Sequence, residues 1–136
     1  MRGSGTVKLE IPCSPQFVSV ARKAVEAIAF GLRLPNEVTD DLRLAVGEAC
    51  TNAVKYTDPS GSPILVLYRI SPDAIEIEVH NKGREFRREK KPAKPTAHEL
   101  PVGGLGFYVV EQVMDEVDVV SKGGETVVRM VKRLSR

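Results

Sequence analysis

A carboxylate, a carboxamide and an ammonium group lie close together near the middle of the chain. The segment GEACTNAVKY (47–56) carries Glu48, Asn52 and Lys55, which on a helix fall within roughly 60° of one another, on a flank away from the apolar stripe. Such a trio could polarise a hydroxyl group, ligate a hard cation and contact phosphate. Three polar residues also suit an ordinary solvated helix face, so their spacing alone leaves both interpretations open.

A glycine-rich segment, VGGLGF (102–107), comes just before a predicted helix and carries Gly103, Gly104 and Gly106. Glycines let the backbone approach a ligand closely, and the free N–H groups at a helix N-terminus favour anions. The segment is not a Walker loop, because no Gly-Lys-Ser/Thr follows it, and no strand leads directly into it as in a dinucleotide fingerprint. By itself it is either a phosphate site or a flexible hinge.

A third motif, HNKGREF (80–86), ends a strand of alternating polarity. Asn81 offers a polar tip to a pocket, and Gly83 would let the chain turn closely past a ligand. The alternative is an ordinary turn at the end of a strand, where Asn and Gly are both common.

The apolar pattern around these motifs predicts the elements that must position them. The predicted elements are strand 6–11, a helix from Ser14–Pro15 to Gly31, helix 36–56, strands 64–70 and 74–81, a helix from about Leu105 to Met114, and a closing hairpin of 117–121 and 125–134. Residues 82–102 have no period and contain three prolines, which predicts a long, mobile loop. This order predicts an α+β two-layer sandwich with one mixed, mostly antiparallel sheet and helices on one face.

Length and composition indicate a single globular domain. The chain has 136 residues, 42% of them hydrophobic and 28% charged, with a net charge of +2. No apolar run is long enough to span a bilayer and no signal-peptide core is present, so a cytoplasmic location is expected. We take residues 1–5 as a disordered start or a tag scar and 6–136 as the domain. The two cysteines, Cys13 and Cys50, have neither CxxC nor metal-type spacing, which argues against a zinc site or disulfide.

A run of basic residues between positions 84 and 94 could attract a triphosphate or an acidic partner. Direct nucleic-acid binding is not expected, because Phe86 is the only aromatic residue that interleaves these charges. His80 and His98, the two histidines, do not lie in the helical phospho-acceptor context of a complete histidine kinase.

Taken together and in this order, the three motifs resemble those of the GHKL superfamily of ATPases and kinases, which share the Bergerat ATP-binding fold. The chain is more closely similar to the small stand-alone serine kinases that act as anti-sigma factors in bacterial sporulation and stress-response switches. EACTNAVKY matches their N box, NKGREF falls at their Asp-x-Gly-x-Gly-Phe motif, and GGLGFYVVEQVMDEV matches their second glycine box with its helix. The resemblance covers nearly the whole domain.

The resemblance implies a role for each motif residue. Glu48 would be the general base, and Asn52 would ligate the Mg²⁺ that bridges the ATP phosphates. The other implied nucleotide-binding residues are Lys55, Asn81, Gly83, Gly103, Gly104, Leu105 and Gly106, with residues 82–102 as an ATP lid. The implied partners are an anti-sigma-factor antagonist and a sigma factor, and the implied assembly is a homodimer.

Two positions depart from the family pattern. Asn81 stands where the family has the aspartate that accepts a hydrogen bond from the adenine amino group, and Glu85 stands at the next glycine. An amide keeps an acceptor but loses the charge and adds an NH₂ donor, so weaker adenine binding is expected. The function that the resemblance implies is an ATP-dependent serine/threonine protein kinase that acts as an anti-sigma factor. The alternatives are a module of the same fold that binds its partner without phosphotransfer, and an ATPase that acts on water.

Overall fold

Helices cover one face of a sheet in the computed structural model. The structure describes residues 4–57, 61–82 and 102–134, and it describes residues 102–106 in their backbone only. The elements are β1 (Gly5–Ile11), a 3₁₀ turn (Pro15–Phe17), α1 (Val18–Gly31), α2 (Asn36–Tyr56), β2 (Ile64–Ile70), β3 (Ala74–Lys82), α3 (Val102–Val113), β4 (Glu116–Lys122) and β5 (Glu125–Arg133).

The sheet has five strands in the order β1-β2-β3-β5-β4. All four neighbouring pairs of these described strands are antiparallel, with Val66 opposite Val79 and Val79 opposite Val128 across the centre. The predicted α+β sandwich is confirmed. The parallel pair that a mixed sheet would contain does not occur among the described strands.

Strand β3 shows how the sequence separates the two faces of the sheet. Ile75, Ile77 and Val79 are fully buried, while the alternate residues Glu76 and Glu78 lie on the opposite, half-buried face. That outer face is covered by ion pairs rather than by helices, since Arg129 Nε lies 2.9 Å from Glu76 and Arg69 Nη1 lies 2.6 Å from Glu78. The apolar face therefore receives the helices.

Helix α2 packs the apolar stripe that its sequence predicts. Its residues Leu42, Val46, Ala49 and Ala53 are all buried and join the core with the inner faces of β2 and β3. Helix α1 lies beside α2, and the hydroxyl of Tyr68 on β2 donates a 2.8 Å hydrogen bond to the Ala21 carbonyl of α1. The backbone of α1 is thereby fixed to the sheet below it.

The observed boundaries lie within one residue of the predicted ones, except at the start of α1, where a 3₁₀ turn precedes Val18, and at the start of α3. Helix 36–56 and strand 64–70 have the predicted bounds, and the closing hairpin turns through Gly123 and Gly124, both with positive φ (58° and 80°). Such a pair matches a two-residue turn that right-twisted strands favour. Helix α3 begins at Val102 rather than at about Leu105.

Several predictions concern residues outside the described ranges. These are residues 1–3, Gly83, Glu85, His98, the basic run of 84–94 and all but the two ends of the expected lid. Within the described ranges, no helix is both long and apolar enough to cross a bilayer.

Candidate functional site

A pocket opens between α2, the N-terminal half of α3 and the strands β3 and β5. The empty space between these elements is about 260 Å³, a figure that includes the open solvent at the mouth of the pocket. Its described lining residues are Ala49, Asn52, Ala53, Tyr56, Asn81, Phe107, Thr126 and Val128. The four α2 residues are spaced i, i+3, i+4 and i+7, so a single face of that helix forms one wall.

Three buried polar side chains meet in this pocket. Asn52, Asn81 and Thr126 are 8%, 5% and 4% exposed, and they are the buried polar residues of the described part of the chain. All three line the same cavity. Because buried polar groups are expensive unless they are hydrogen-bonded, the convergence of three of them makes this pocket the candidate ligand site.

The floor of the pocket is one rung of the sheet. Asn81 on β3 stands directly opposite Thr126 on β5. The Thr126 hydroxyl is hydrogen-bonded to the Ser121 hydroxyl at 2.9 Å. The Asn81 Nδ2 is buried and has no hydrogen-bond partner among the described residues. A donor buried in this way costs about 1–3 kcal/mol, which an acceptor on a bound ligand would recover.

Of the three polar residues Glu48, Asn52 and Lys55 on α2, only Asn52 is among the described residues that line the pocket. Its carboxamide lies next to Ala49 and Ala53 in the lining, not on a solvated flank as the spacing suggested, because this face of α2 lies over the ends of β3 and β5. Glu48 is half-buried one turn before Asn52, beside the lining residue Ala49. Lys55 is exposed in the last turn of α2 and is not among the described lining residues.

The glycine-rich segment lies inside α3 rather than before it. Gly103, Gly104, Leu105 and Gly106 form its first turns, and Phe107, one turn after Gly103, is buried in the pocket wall. The first four N–H groups of a helix have no partner within it, and they favour anions. The N-terminus of α3, one turn before the lining residue Phe107, therefore has the backbone groups that suit an anion.

No set of three His, Cys, Asp or Glu side chains in the described ranges could hold a metal ion by itself. The Asn52 carboxamide oxygen is a hard ligand of the kind that Mg²⁺ accepts together with phosphate oxygens and water. The residues present thus fit a cation that arrives with a phosphate ligand.

Sequence reasoning missed several lining residues. Thr126 sits in a run of β-branched residues and resembles any strand residue until the register places it opposite Asn81. Tyr56, one turn after Asn52, could have been found from the helical spacing. The aromatic ring of Phe107 could not have been predicted as a lining group from the sequence, because only the packing of α3 on α2 brings it to the cavity.

Comparison with known sequences places the chain among ATP-using proteins. Residues 11–132 match the model of the histidine kinase-like ATPase domain. Serine-protein kinase RsbW of Bacillus velezensis is 35% identical over 130 residues, covering 89% of this chain and 81% of its own. Serine-protein kinase RsbW of Bacillus subtilis is 32% identical over 130 residues, with the same coverage of 89% and 81%.

Solved structures share the fold at low identity. A Mycobacterium tuberculosis chain with RsbU and RsbW domains gives a TM-score of 0.73 at 16% identity, over 96% of this chain and 33% of that longer one. The SiaB–SiaC complex of Pseudomonas aeruginosa gives a TM-score of 0.71 at 13% identity, over 92% and 88% of the two chains. The pocket therefore lies on a fold that these proteins share.

Proposed function

The chain belongs to the histidine kinase-like ATPase domain family, and we propose that it is an ATP-dependent serine/threonine protein kinase that acts as an anti-sigma factor. It phosphorylates a serine of an antagonist protein and regulates transcription by exchanging that antagonist for a sigma factor. The observation that carries this proposal is the convergence of Asn52, Asn81 and Thr126, the buried polar side chains of the described residues, in one pocket. The relatives named serine-protein kinase support the reaction class.

In this proposal Glu48 is the general base. Its carboxylate takes the proton of the attacking serine hydroxyl while the hydroxyl oxygen bonds to the γ-phosphorus, and the bond to the bridging oxygen breaks to release ADP. Glu48 is half-buried and one helical turn from Asn52, so both belong to one rigid element. A base held on a helix loses little entropy in reaching its position.

The remaining roles concern the nucleotide. Asn52 would hold Mg²⁺, whose charge offsets that of the phosphates, and the backbone of Gly103, Gly104 and Gly106 would bind the phosphates at the start of α3. Asn81 and Thr126 would contact the base. Lys55 would reach the phosphates from the exposed end of α2, and residues 82–102, including Gly83, would close over the nucleotide.

We further propose a homodimer that works in the cytoplasm, where ATP, the antagonist and the sigma factor meet. A second candidate, a module that binds its partner without phosphotransfer, is favoured by one observation. Among the described residues nothing accepts from the Asn81 Nδ2, at the position where the resembled family has a carboxylate acceptor. The two candidates differ in a single measurable property, phosphate transfer.

The test is transfer of radiolabelled γ-phosphate to proteins captured from the native cell, with wild type and Glu48→Gln compared. Without its general base the enzyme should transfer phosphate about 10²–10⁴-fold more slowly, because the serine proton then has no acceptor. Mg·ATP affinity should stay within about twofold, since the glutamine keeps the shape of the side chain.

Glu37→Gln is the matched control, because Glu37 is exposed at the start of the same helix and should keep full activity. Equal transfer by Glu48→Gln and wild type would refute the base assignment. Mg·ATP binding without any transfer would favour the partner-binding module. Phosphate release without a protein acceptor would identify an ATPase that acts on water.

A further inference from the structure

The side chain of Asn81 on the floor of the pocket is an amide with a buried donor. Asn81 is 5% exposed, and its Nδ2 has no hydrogen-bond partner among the described residues. The side chain lines the pocket with Phe107 and Val128. A bound molecule that presents an acceptor to this buried donor would satisfy it.

The side chains around Asn81 offer little competition for this donor. Ala49, Ala53, Phe107 and Val128 supply only apolar surface to the cavity, and no described residue, including the polar lining residues Asn52 and Tyr56, accepts a hydrogen bond from the Asn81 Nδ2. The Thr126 hydroxyl, directly across the rung, is already hydrogen-bonded to Ser121. The ligand must therefore meet an amide that presents one donor group and one acceptor oxygen side by side.

Purine bases offer two edges that match such a pair. A 6-aminopurine presents its amino donor beside the N1 acceptor, and a 6-oxopurine presents its O6 acceptor beside the N1–H donor. A carboxamide pairs with either edge, because rotating its terminal torsion by 180° exchanges oxygen and nitrogen. A carboxylate has only acceptors, so one of its oxygens would face the O6 lone pairs without a proton between them.

We propose that Asn81 makes the base site accept 6-oxopurine nucleotides as well as ATP, so that inosine and guanosine nucleotides bind with affinity similar to that of adenosine nucleotides. This proposal rests on the proposed nucleotide-dependent function. It assigns to Asn81 the choice of base, separately from the chemistry at Glu48.

The test measures the dissociation constants of Mg·ADP and Mg·IDP by calorimetry for wild type and Asn81→Asp. For wild type the ratio of the IDP constant to the ADP constant should lie below about ten, whereas Asn81→Asp should raise this ratio at least tenfold. Asn36→Asp is the matched control, because Asn36 is exposed at the first position of α2 and should leave the ratio unchanged.

The diphosphate of purine riboside, which lacks any 6-substituent, adds a readout on the unmodified protein and keeps the proposal testable if Asn81→Asp does not fold. It should bind at least fivefold more weakly than both ADP and IDP. A wild-type ratio of ten or more, equal affinity for the unsubstituted purine, or an unchanged ratio in folded Asn81→Asp would overturn the proposal. Binding of ADP alone would leave the kinase proposal standing, while binding of neither nucleotide would overturn both.

Discussion

Cys50 and Tyr68 are weak acids whose neutral forms are buried in the core. Burial raises the pKa of the Cys50 thiol from an ordinary 9.0 to about 12. Burial likewise raises the pKa of Tyr68, whose hydroxyl donates to the Ala21 carbonyl at 2.8 Å. In both cases the folded state holds its proton more tightly than the unfolded chain does. Their contribution to stability is thus complete below the unfolded pKa and declines as pH rises through the folded one.

The free energy of unfolding should fall as pH rises above about 9. For each group the slope approaches about 1.4 kcal/mol per pH unit between its two pKa values. Urea unfolding under reducing conditions from pH 7 to 10.5 measures this slope. Cys50→Ala should remove the part that begins near pH 9, and Tyr68→Phe the part that begins near pH 10.

Val46→Ala provides the control for this measurement. Val46 is also fully buried on α2 and carries no titratable group, so its truncation should lower stability equally at every pH. An unchanged slope in Cys50→Ala would contradict the assignment of alkaline destabilisation to the thiol.

At the residue scale, types and spacing were enough to name Asn52 and Asn81 as candidates, and the structure brings both into one pocket. They were not enough to find Thr126, because a threonine among valines is also what a plain strand contains. Its position depends on the pairing of β3 with β5, which are separated in sequence by residues 83–124. Such long-range register cannot be read from local pattern.

Three elements meet at the ammonium group of Lys132. This β5 residue has a side chain only 17% exposed, and its Nζ lies 3.0 Å from Asp41 of α2. The same Nζ donates to the carbonyl of Val113, the last residue of α3, at 2.7 Å. One ammonium group thus pairs with a carboxylate and donates to a carbonyl that has no partner within its own helix. That carbonyl lies at a helix C-terminus, where positive charge is favoured.

Replacement of Lys132 by methionine should lower the free energy of unfolding by about 1–3 kcal/mol. The reason is that the Val113 carbonyl and the Asp41 carboxylate lose their shared partner while they remain partly buried. Urea unfolding at neutral pH measures the difference. Arg133→Met is the control, because that side chain is 61% exposed and its pair with Glu116 should contribute less than about 1 kcal/mol. Equal losses in the two variants would refute a special role for Lys132.

At the element scale, helix α2 and strand β2 could be predicted to their terminal residues, because turn-forming residues bound them on both sides. The start of α3 could not be predicted in this way. Three glycines near its N-terminus each lower helix propensity by about 1 kcal/mol, so local preference argues for a loop. Burial of Phe107, Val110 and Met114 against the core explains why the helix nevertheless forms and extends to Val102.

For the molecule as a whole, stability should decrease from the centre of the sheet to its edges. Strand β3 pairs on both sides, with β2 and β5, and its inner side chains are fully buried. Strand β1 pairs only with β2, and most of its side chains are exposed. Amides that are paired and buried open only with global unfolding, whereas those at edges open locally.

Hydrogen exchange followed by mass spectrometry should therefore be slowest in peptides that cover residues 74–82 and fastest, among the strands, in those that cover 5–11. The difference should amount to at least a hundredfold in protection, because it compares local opening with unfolding of the whole domain. Similar protection of the two segments would indicate that something other than sheet pairing holds β1.

The architecture of the whole molecule was largely predictable, because period-two strands and period-3.6 helices alternate in a readable order. What could not be predicted is the insertion of β5 between β3 and β4. That arrangement places Asn81 and Thr126 side by side. The candidate site is thus a product of topology as much as of the motifs.

The rung formed by Asn81 and Thr126 has a consequence for how the protein can evolve. Codons for asparagine and aspartate differ at a single nucleotide, so one mutation can exchange an amide for a carboxylate on the floor of the pocket. Glu48, Asn52 and the glycines of α3 belong to other elements and keep their places when this happens. Under the proposed role of Asn81, a lineage could shift its nucleotide preference in one genetic step, without changing the residues that are proposed to bind the phosphates.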